Sequence, residues 1–189
     1  MFIMRIGIDI DDVITDTSKA MEKYILKYDK NGEISNHLEE IMRGEMPTQN
    51  IKNFFAKNGL EIVKKAKLKN NVKEVLQKLF DEGNEIFIIT SRGEIKIKGS
   101  EETTLEYFKS NNIKYTKILF NVFDKAKSCK ENSINLMIDD SIKHCSECEK
   151  ENIKSILFTS IVNQSIETKL DRVENWLELE NKINQYYKK

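Results

Sequence analysis

Asp9, Asp11 and Asp12 crowd together directly behind the apolar run Ile6-Gly7-Ile8. Side chains alternate along an extended strand, so Asp9 and Asp11 share a side where that strand ends. Carboxylates this close repel one another unless a positive charge sits among them. A hard divalent cation such as Mg²⁺, which prefers oxygen ligands, is the natural counter-charge. An isolated Asp-x-Asp also has an ordinary explanation, because acids cap helices and turns, and Asp12 or Asp16 can serve that purpose alone. The metal reading therefore needs matching parts elsewhere in the chain.

Such parts are present. Ile86-Phe87-Ile88-Ile89 runs into Thr90-Ser91-Arg92, placing hydroxyls and backbone amides where an oxyanion can sit. Leu136-Met137-Ile138 runs into Asp139-Asp140-Ser141, a second acidic strand end. Lys125 precedes it near the start of an intervening helix, with Lys127 as a near neighbour. Together these residues suit phosphoryl transfer. A carboxylate can attack phosphorus and split one hard displacement into two easier ones. Mg²⁺ and lysine neutralise charge developing on the phosphoryl oxygens. A second carboxyl nearby can protonate the leaving alkoxide and then deprotonate the attacking water.

The elements that must position these groups follow from the apolar patterning. Strands are predicted at Ile3–Ile10, Glu85–Thr90, Lys117–Phe120, Asn135–Asp139 and Ser155–Thr159. Helices are predicted between them at Val72–Asp81, Glu101–Ser110, Lys125–Asn132 and Ile142–Glu151. Val72, Val75, Leu76 and Leu79 follow helical spacing, and Gly83 is placed to end that helix. Alternating strands and helices argue for an α/β, Rossmann-like core, its central parallel sheet flanked by helices on both faces. In such sheets ligands sit beyond the carboxyl ends of the strands, where the polar residues above gather.

One interval breaks the alternation. From Asp16 to Lys69 no convincing strand occurs, and helical stretches are expected at Thr17–Tyr28, Ser35–Met42, Thr48–Lys57 and Leu60–Lys67. Gly44 and Pro47 punctuate its middle. The expected organisation is a core of residues 1–15 and 70–189 with a small helical cap, 16–69, inserted after the first strand. A cap over the sheet edge excludes water and carries substrate contacts, although a purely structural subdomain has the same pattern. From Glu167 onward, Leu170, Val173, Trp176, Leu177, Leu179 and Ile183 suggest a helix packed on the core, with Trp176 as its anchor.

Composition removes several other classes. Lys+Arg and Asp+Glu balance at 31 each, so no global field draws the chain to a nucleic acid polymer or a membrane surface. Arginine is confined to Arg5, Arg43, Arg92 and Arg172, which makes Arg92 beside a candidate site conspicuous. Cys129, Cys145 and Cys148 are odd in number, and His144-Cys145-x-x-Cys148 lacks a second pair at zinc-finger spacing, so structural thiols are expected. No run resembles a signal peptide or a bilayer span, and the cytoplasm is the expected compartment.

The four segments Asp9-Ile10-Asp11-Asp12-Val13, Ile89-Thr90-Ser91-Arg92, Lys125 and Ile138-Asp139-Asp140-Ser141 occur in the order found in haloacid-dehalogenase-type (HAD) phosphohydrolases, which the chain resembles over Phe2–Ile14 and Val72–Thr159. The resemblance implies a Rossmann-like core with a mobile cap. It implies that Asp9 is the nucleophile and Asp11 the general acid and base. It also implies that Thr90, Ser91 and Lys125 bind the phosphoryl group. Asp9, Asp11 through its backbone carbonyl, and Asp139 would hold Mg²⁺, with Asp140 orienting the site behind them. Lys127 is the alternative to Lys125.

Within that superfamily the chain is most similar to the 5′(3′)-deoxyribonucleotidase-like group, the cytosolic type C 5′-nucleotidases. The helical insert, Glu102-Thr103-Thr104-Leu105, Ile113-Lys114-Tyr115 and Asn163…Arg172-Val173-x-Asn175-Trp176 carry this likeness. Members often have Asp-Gly where this chain has Asp12-Val13. The expected function is hydrolysis of a small phosphomonoester, a (deoxy)nucleoside monophosphate. A sugar phosphate is the alternative substrate; a receiver-like signalling domain and a silent binding protein are the rivals from other classes. Tyr24, Tyr28, Phe54 and Phe55 are candidates to stack on a base, although aromatics at helical spacing more often form core.

Overall fold

Six short strands form one all-parallel sheet in the computed structural model of the chain, which describes residues 3–29, 31–37, 40, 41 and 48–187. They are β1 (Arg5–Ile8), β2 (Glu85–Ile89), β3 (Lys117–Leu119), β4 (Leu136–Asp139), β5 (Lys154–Phe158) and β6 (Arg172–Val173). Their order is β3-β2-β1-β4-β5-β6, so β1 lies between β2 and β4. Ile8 pairs with Ile88 on one side and with Ile138 on the other. The register therefore brings Asp9 level with Asp139 and next to the end of β2.

Seven α-helices are seen among the described residues: α1 (Thr17–Tyr28), α2 (Gln49–Lys65), α3 (Val72–Asp81), α4 (Ser100–Ser110), α5 (Lys125–Glu131), α6 (Ile142–Lys150) and α7 (Trp176–Tyr187). The strands are mainly apolar between their polar ends because both sheet faces are covered. Ile6, Ile8, Ile86, Ile88, Leu136 and Ile138 meet Val72, Val75, Leu76 and Leu79 of α3 and Trp176, Leu179 and Ile183 of α7. Phe87, Ile89 and Met137 point the other way, onto Ala126 and Cys129 of α5 and Cys148 of α6. Gly7 makes that second layer possible. A Cβ there would stand 2.8 Å from Met137 Sδ and 3.0 Å from an Ile89 methyl, closer than side chains tolerate.

Two expectations require correction. The helices expected at Thr48–Lys57 and Leu60–Lys67 are one continuous helix, α2. Gly59 falls in the expected gap, but it is a buried packing position: a Cβ would lie 2.7 Å from Ile97 Cδ1. It permits close approach of the chain that follows β2. The helix expected from Glu167 begins only at Trp176, after the edge strand β6. Arg172 donates to Asn163 Oδ1 at 2.8 Å and to the Ile166 carbonyl at 2.8 Å, drawing its own segment out as the partner of β5. Leu177 is exposed, whereas Trp176, Leu179 and Ile183 are buried. Between α1 and α2, Ser35–His37 form a 3₁₀ turn. The expected helix end at Met42, Gly44 and Pro47 lies outside the described residues.

The segment between β1 and α3 packs around its own apolar cluster of Ile25, Ile34, Ile41 and Ile51, flanked by Met21, Phe54 and Phe55. Two crossings side by side join it to the sheet. The Asp16 N–H donates to the Lys67 carbonyl at 2.8 Å, the Lys69 N–H donates to the Ile14 carbonyl at 2.9 Å, and Lys69 Nζ pairs with Asp16 at 2.7 Å. Trp176 steadies the crossing from below, its indole N–H donating to the Val13 carbonyl at 2.9 Å. Among the described residues no helix is long and apolar enough to cross a membrane.

Candidate active site

Asp9 leaves β1 with its backbone N–H still donating to the Ile138 carbonyl of β4 at 2.9 Å, which fixes its side chain at the carboxyl end of the sheet. Lys125, 2% exposed, lies 2.7 Å from Asp9 Oδ1 and 2.5 Å from Asp139 Oδ2, bridging the two acids. Asp124 caps the helix that presents this lysine, accepting from the Lys127 N–H at 2.9 Å. Lys127 itself is exposed. Burial presses the Lys125 pKa down, but the charges of Asp139 and Asp9 outweigh it and raise the value above the ordinary one, so the lysine stays protonated.

The two acids respond differently to their shared lysine. Burial is the largest influence on Asp9 and, with the charges of Asp139 and Asp11, outweighs Lys125 and raises its pKa to about 6. Burial also presses upward on Asp139, but Lys125 and His144 outweigh it and lower the value to about 2. Asp139 is the better-served acid. It accepts from the Ser141 N–H at 2.8 Å, and His144 Nδ1 lies 3.3 Å away. His144 was not legible as a site residue, although it follows Ser141 by one helical turn and so returns to the same strand end.

Asp11 lies across from this pair and is engaged by Arg92. The guanidinium Nε donates to both carboxylate oxygens at 3.1 Å and Nη2 to Oδ1 at 2.6 Å. Burial raises the Asp11 pKa, but Arg92 outweighs it and holds the carboxyl below its usual range. Asp12 turns away from the site. Its φ of +57° makes the turn without glycine, a conformation Asp tolerates better than most residues. Its carboxylate accepts from the Ser18 N–H at 3.0 Å and from the Ser18 hydroxyl, closing the start of α1.

Thr90 is fully buried at the end of β2. Its Oγ1 accepts from the Arg92 N–H at 3.1 Å, which leaves the hydroxyl hydrogen available to an incoming oxygen. Ser91 Oγ accepts from Lys96 Nζ at 3.2 Å. The chain from Arg92 to α4 is shaped by side chains that accept its backbone amides. Glu94 accepts from the Gly99 N–H at 2.9 Å, and Asn121 Oδ1 accepts from the Ile95 N–H at 3.2 Å. Between this loop and α1 and α2 lies a cavity of about 170 Å³, reached by Asp11, Ser91 and Arg92 and walled by Met21, Phe55 and Ile97. Ser100, also on its wall, is buried with a hydroxyl that has no hydrogen-bond partner among the described residues. Of the four aromatics named as stacking candidates, Phe55 alone reaches this cavity, while Tyr24, Phe54 and Phe55 stack on one another within the helical segment.

A metal ion has a suitable place. Carboxylate oxygens of Asp9, Asp139 and Asp140 lie within 4.8 Å of one another, the one such ligand group among the described residues. Asp140 has no hydrogen-bond donor on its carboxylate among those residues, and burial beside Asp139 and Asp9 raises its pKa well above the ordinary value. That is a carboxylate lacking a cation, and an all-oxygen set suits a hard one. The sequence reading set Asp140 behind the ligands; the geometry gathers it with Asp9 and Asp139, while the side chain of Asp11 is held by Arg92. Cys129, Cys145 and Cys148 are free and buried, and His144 faces Asp139.

Known proteins resemble the chain along nearly its whole length. A nucleotidase of Clostridium acetobutylicum is 22% identical over 200 residues, covering 98% of this chain and 96% of its own. A crystal structure described as a predicted phosphatase from Clostridium acetobutylicum superposes with a TM-score of 0.69 at 17% identity, covering 98% of this chain and 100% of the other. A HAD-superfamily hydrolase of subfamily IA from Geobacter sulfurreducens gives a TM-score of 0.61 at 14% identity, with 96% of each chain covered. These structures share the fold. The sequence model described as 5′ nucleotidase, deoxy (Pyrimidine), cytosolic type C protein matches residues 3–188. The chain belongs to that family, and with it to the HAD-type phosphoric monoester hydrolases.

Proposed function

We propose that this chain is an Mg²⁺-dependent phosphomonoesterase that forms an aspartyl-phosphate on Asp9 and acts on (deoxy)nucleoside monophosphates. The observation that carries this reading is the buried Lys125 ammonium bridging Asp9 and Asp139 at adjoining strand ends, with Thr90 on the next strand. Asp9 attacks phosphorus, and the bond to the ester oxygen breaks. Asp11, held ionised against Arg92 in the free enzyme, takes up a proton as substrate binds and passes it to the departing alkoxide. Water then attacks the acyl phosphate as Asp11 accepts its proton, releasing phosphate and restoring Asp9. Lys125 and the hydroxyl of Thr90 hold the phosphoryl oxygens, with Ser91 beside them. Mg²⁺, held by Asp9, Asp139 and Asp140 with the Asp11 carbonyl, would neutralise charge on the phosphoryl group.

Residues 16–69 serve as the cap in this reading, moving about the paired crossings at Ile14–Asp16 and Lys67–Lys69. The cavity beneath them receives the leaving group. Its Met21, Phe55 and Ile97 walls suit the apolar faces of a base, and the unpartnered Ser100 hydroxyl can meet one polar atom. A sugar phosphate has no flat apolar face to set against these walls, and its hydroxyls would be confined to the Asp11, Thr17, Ser91, Arg92 and Lys96 side of the cavity. This favours nucleotides over sugar phosphates, as does the name of the Clostridium acetobutylicum relative. Three free thiols suit a reducing cytoplasm.

Phosphate release from a panel of nucleoside monophosphates and sugar phosphates tests the assignment. Nucleoside monophosphates are expected to lead by about tenfold or more in kcat/KM, a difference of about 1.4 kcal/mol. Activity confined to sugar phosphates would overturn the substrate assignment while leaving the chemistry intact.

A further inference from the structure

We infer that Arg92 is the positioning residue for Asp11, coupling the proton-carrying carboxylate to the phosphate-binding strand end and to the entrance of the cap. The inference rests on the reading of Asp11 as acid and base. Arg92 is 7% exposed, and each of its side-chain nitrogens has a partner. Besides the bonds to Asp11, Nη2 donates to Thr15 Oγ1 at 3.3 Å and Thr17 Oγ1 at 3.2 Å, while Nη1 lies 3.5 Å from Thr104 Oγ1. Its backbone is equally committed. The N–H donates to Thr90 Oγ1 at 3.1 Å, and the carbonyl accepts from the Asn121 N–H at 2.7 Å.

Apart from Arg92, Asp11 has a side-chain hydrogen bond with Thr17. Its side chain is 35% exposed, and its two soft torsions leave the carboxylate free to swing. A planar fork with donors on both carboxylate oxygens removes that freedom, because it fixes the plane of the acid as well as its distance. A lysine supplies a point charge at the same place without setting the plane. The fork is held in turn by Thr15 and Thr17, which stand where the chain crosses into the helical segment. One guanidinium thus fixes the aim of Asp11 relative to Thr90, and so to the phosphoryl group that Thr90 binds.

A positioning role for Asp11 and a merely structural role for Arg92 differ in how the leaving group matters. Nitrophenolate departs without a proton, whereas a nucleoside alkoxide needs one. Single-turnover release, with enzyme in excess, is measured for 4-nitrophenyl phosphate and for a nucleoside monophosphate in wild type, Arg92→Ala, Arg92→Lys and Thr17→Val. In Arg92→Ala, nucleoside release is expected to fall about 10²-fold, while nitrophenolate release stays within about threefold and steady-state KM is little changed. Arg92→Lys recovers part of the loss, and Thr17→Val shows a smaller loss of the same selectivity. These two variants carry the test if Arg92→Ala does not fold. Equal slowing of both substrates, or unchanged nucleoside release, would overturn the inference. A wild-type protein that cleaves neither substrate would overturn the proposed chemistry as well, which separates the two failures.

Discussion

Asp9→Asn is expected to lower turnover by about 10⁴-fold or more while leaving the protein folded, because no neighbouring group can take over the covalent step. Asp11 is turned toward Arg92, Asp12 is bonded to Ser18, Asp139 is committed to Lys125 and the Ser141 amide, and Asp140 is assigned to the metal ion. An amide at position 9 has almost the same shape and cannot attack phosphorus. The substitution also removes one negative charge from a crowded group. Folded Asp9 keeps its proton up to about pH 6, and burial is the main reason. The unfolded side chain releases it near the ordinary value of about 3.9. The native state therefore binds more protons between those values, and stability falls as pH rises through the interval. Asn has no such loss. With divalent cations removed, Asp9→Asn is expected to melt at a higher temperature than wild type at pH 7, an advantage that disappears below pH 4. A variant that kept near-normal activity would remove Asp9 as nucleophile.

Lys125→Met is expected to damage both stability and catalysis. The side chain is almost completely buried, and methionine matches its length, so packing changes little. The charge balance changes completely: Asp9 and Asp139 lose their common cation and face each other and Asp140 inside the protein. Breaking a buried ion pair in this way typically costs about 3–5 kcal/mol. Chemical unfolding without divalent cations should show a loss of that size at pH 7. The deficit should shrink as pH falls, because Asp139, held near 2 by Lys125 and His144 in the wild type, can then take up a proton in the variant. Turnover should fall by about 10²–10³-fold through loss of a donor to the phosphoryl oxygens. Equal stability of variant and wild type across this pH range would show that the bridge is not what neutralises the two acids.

The strand ends were legible because buried parallel strands are continuous apolar runs, and each run stops at the first polar group the sheet edge exposes to a ligand. Asp9, Thr90 and Asp139 are all such residues, and the apolar spacing of α3 defined that helix in the same way. What escaped was set by contacts distant in sequence. Gly59 reads as a helix break until Ile97 is found packed on its bare face. The edge strand at Arg172–Val173 depends on Arg172 bonding to the Asn163 and Ile166 segment, which local propensity does not contain. Arg92 was conspicuous by rarity alone; its fork onto Asp11 joins two strand ends through rotamers that no spacing encodes. Similarly, adjacent Asp139 and Asp140 look alike in sequence. The lysine, the Ser141 amide and His144 all serve Asp139, which leaves Asp140 the acid without a donor.

The central claim is that Asp9 carries the phosphoryl group, and the most direct measurement is to trap it. The protein is mixed briefly with Mg²⁺ and a phosphate-labelled nucleoside monophosphate, quenched in acid and digested, and the labelled peptide is identified. A hydroxylamine-sensitive acyl phosphate is expected on the peptide containing Asp9, absent from Asp9→Asn. An active wild-type protein that carries no such label, or carries it on another residue, would contradict that claim.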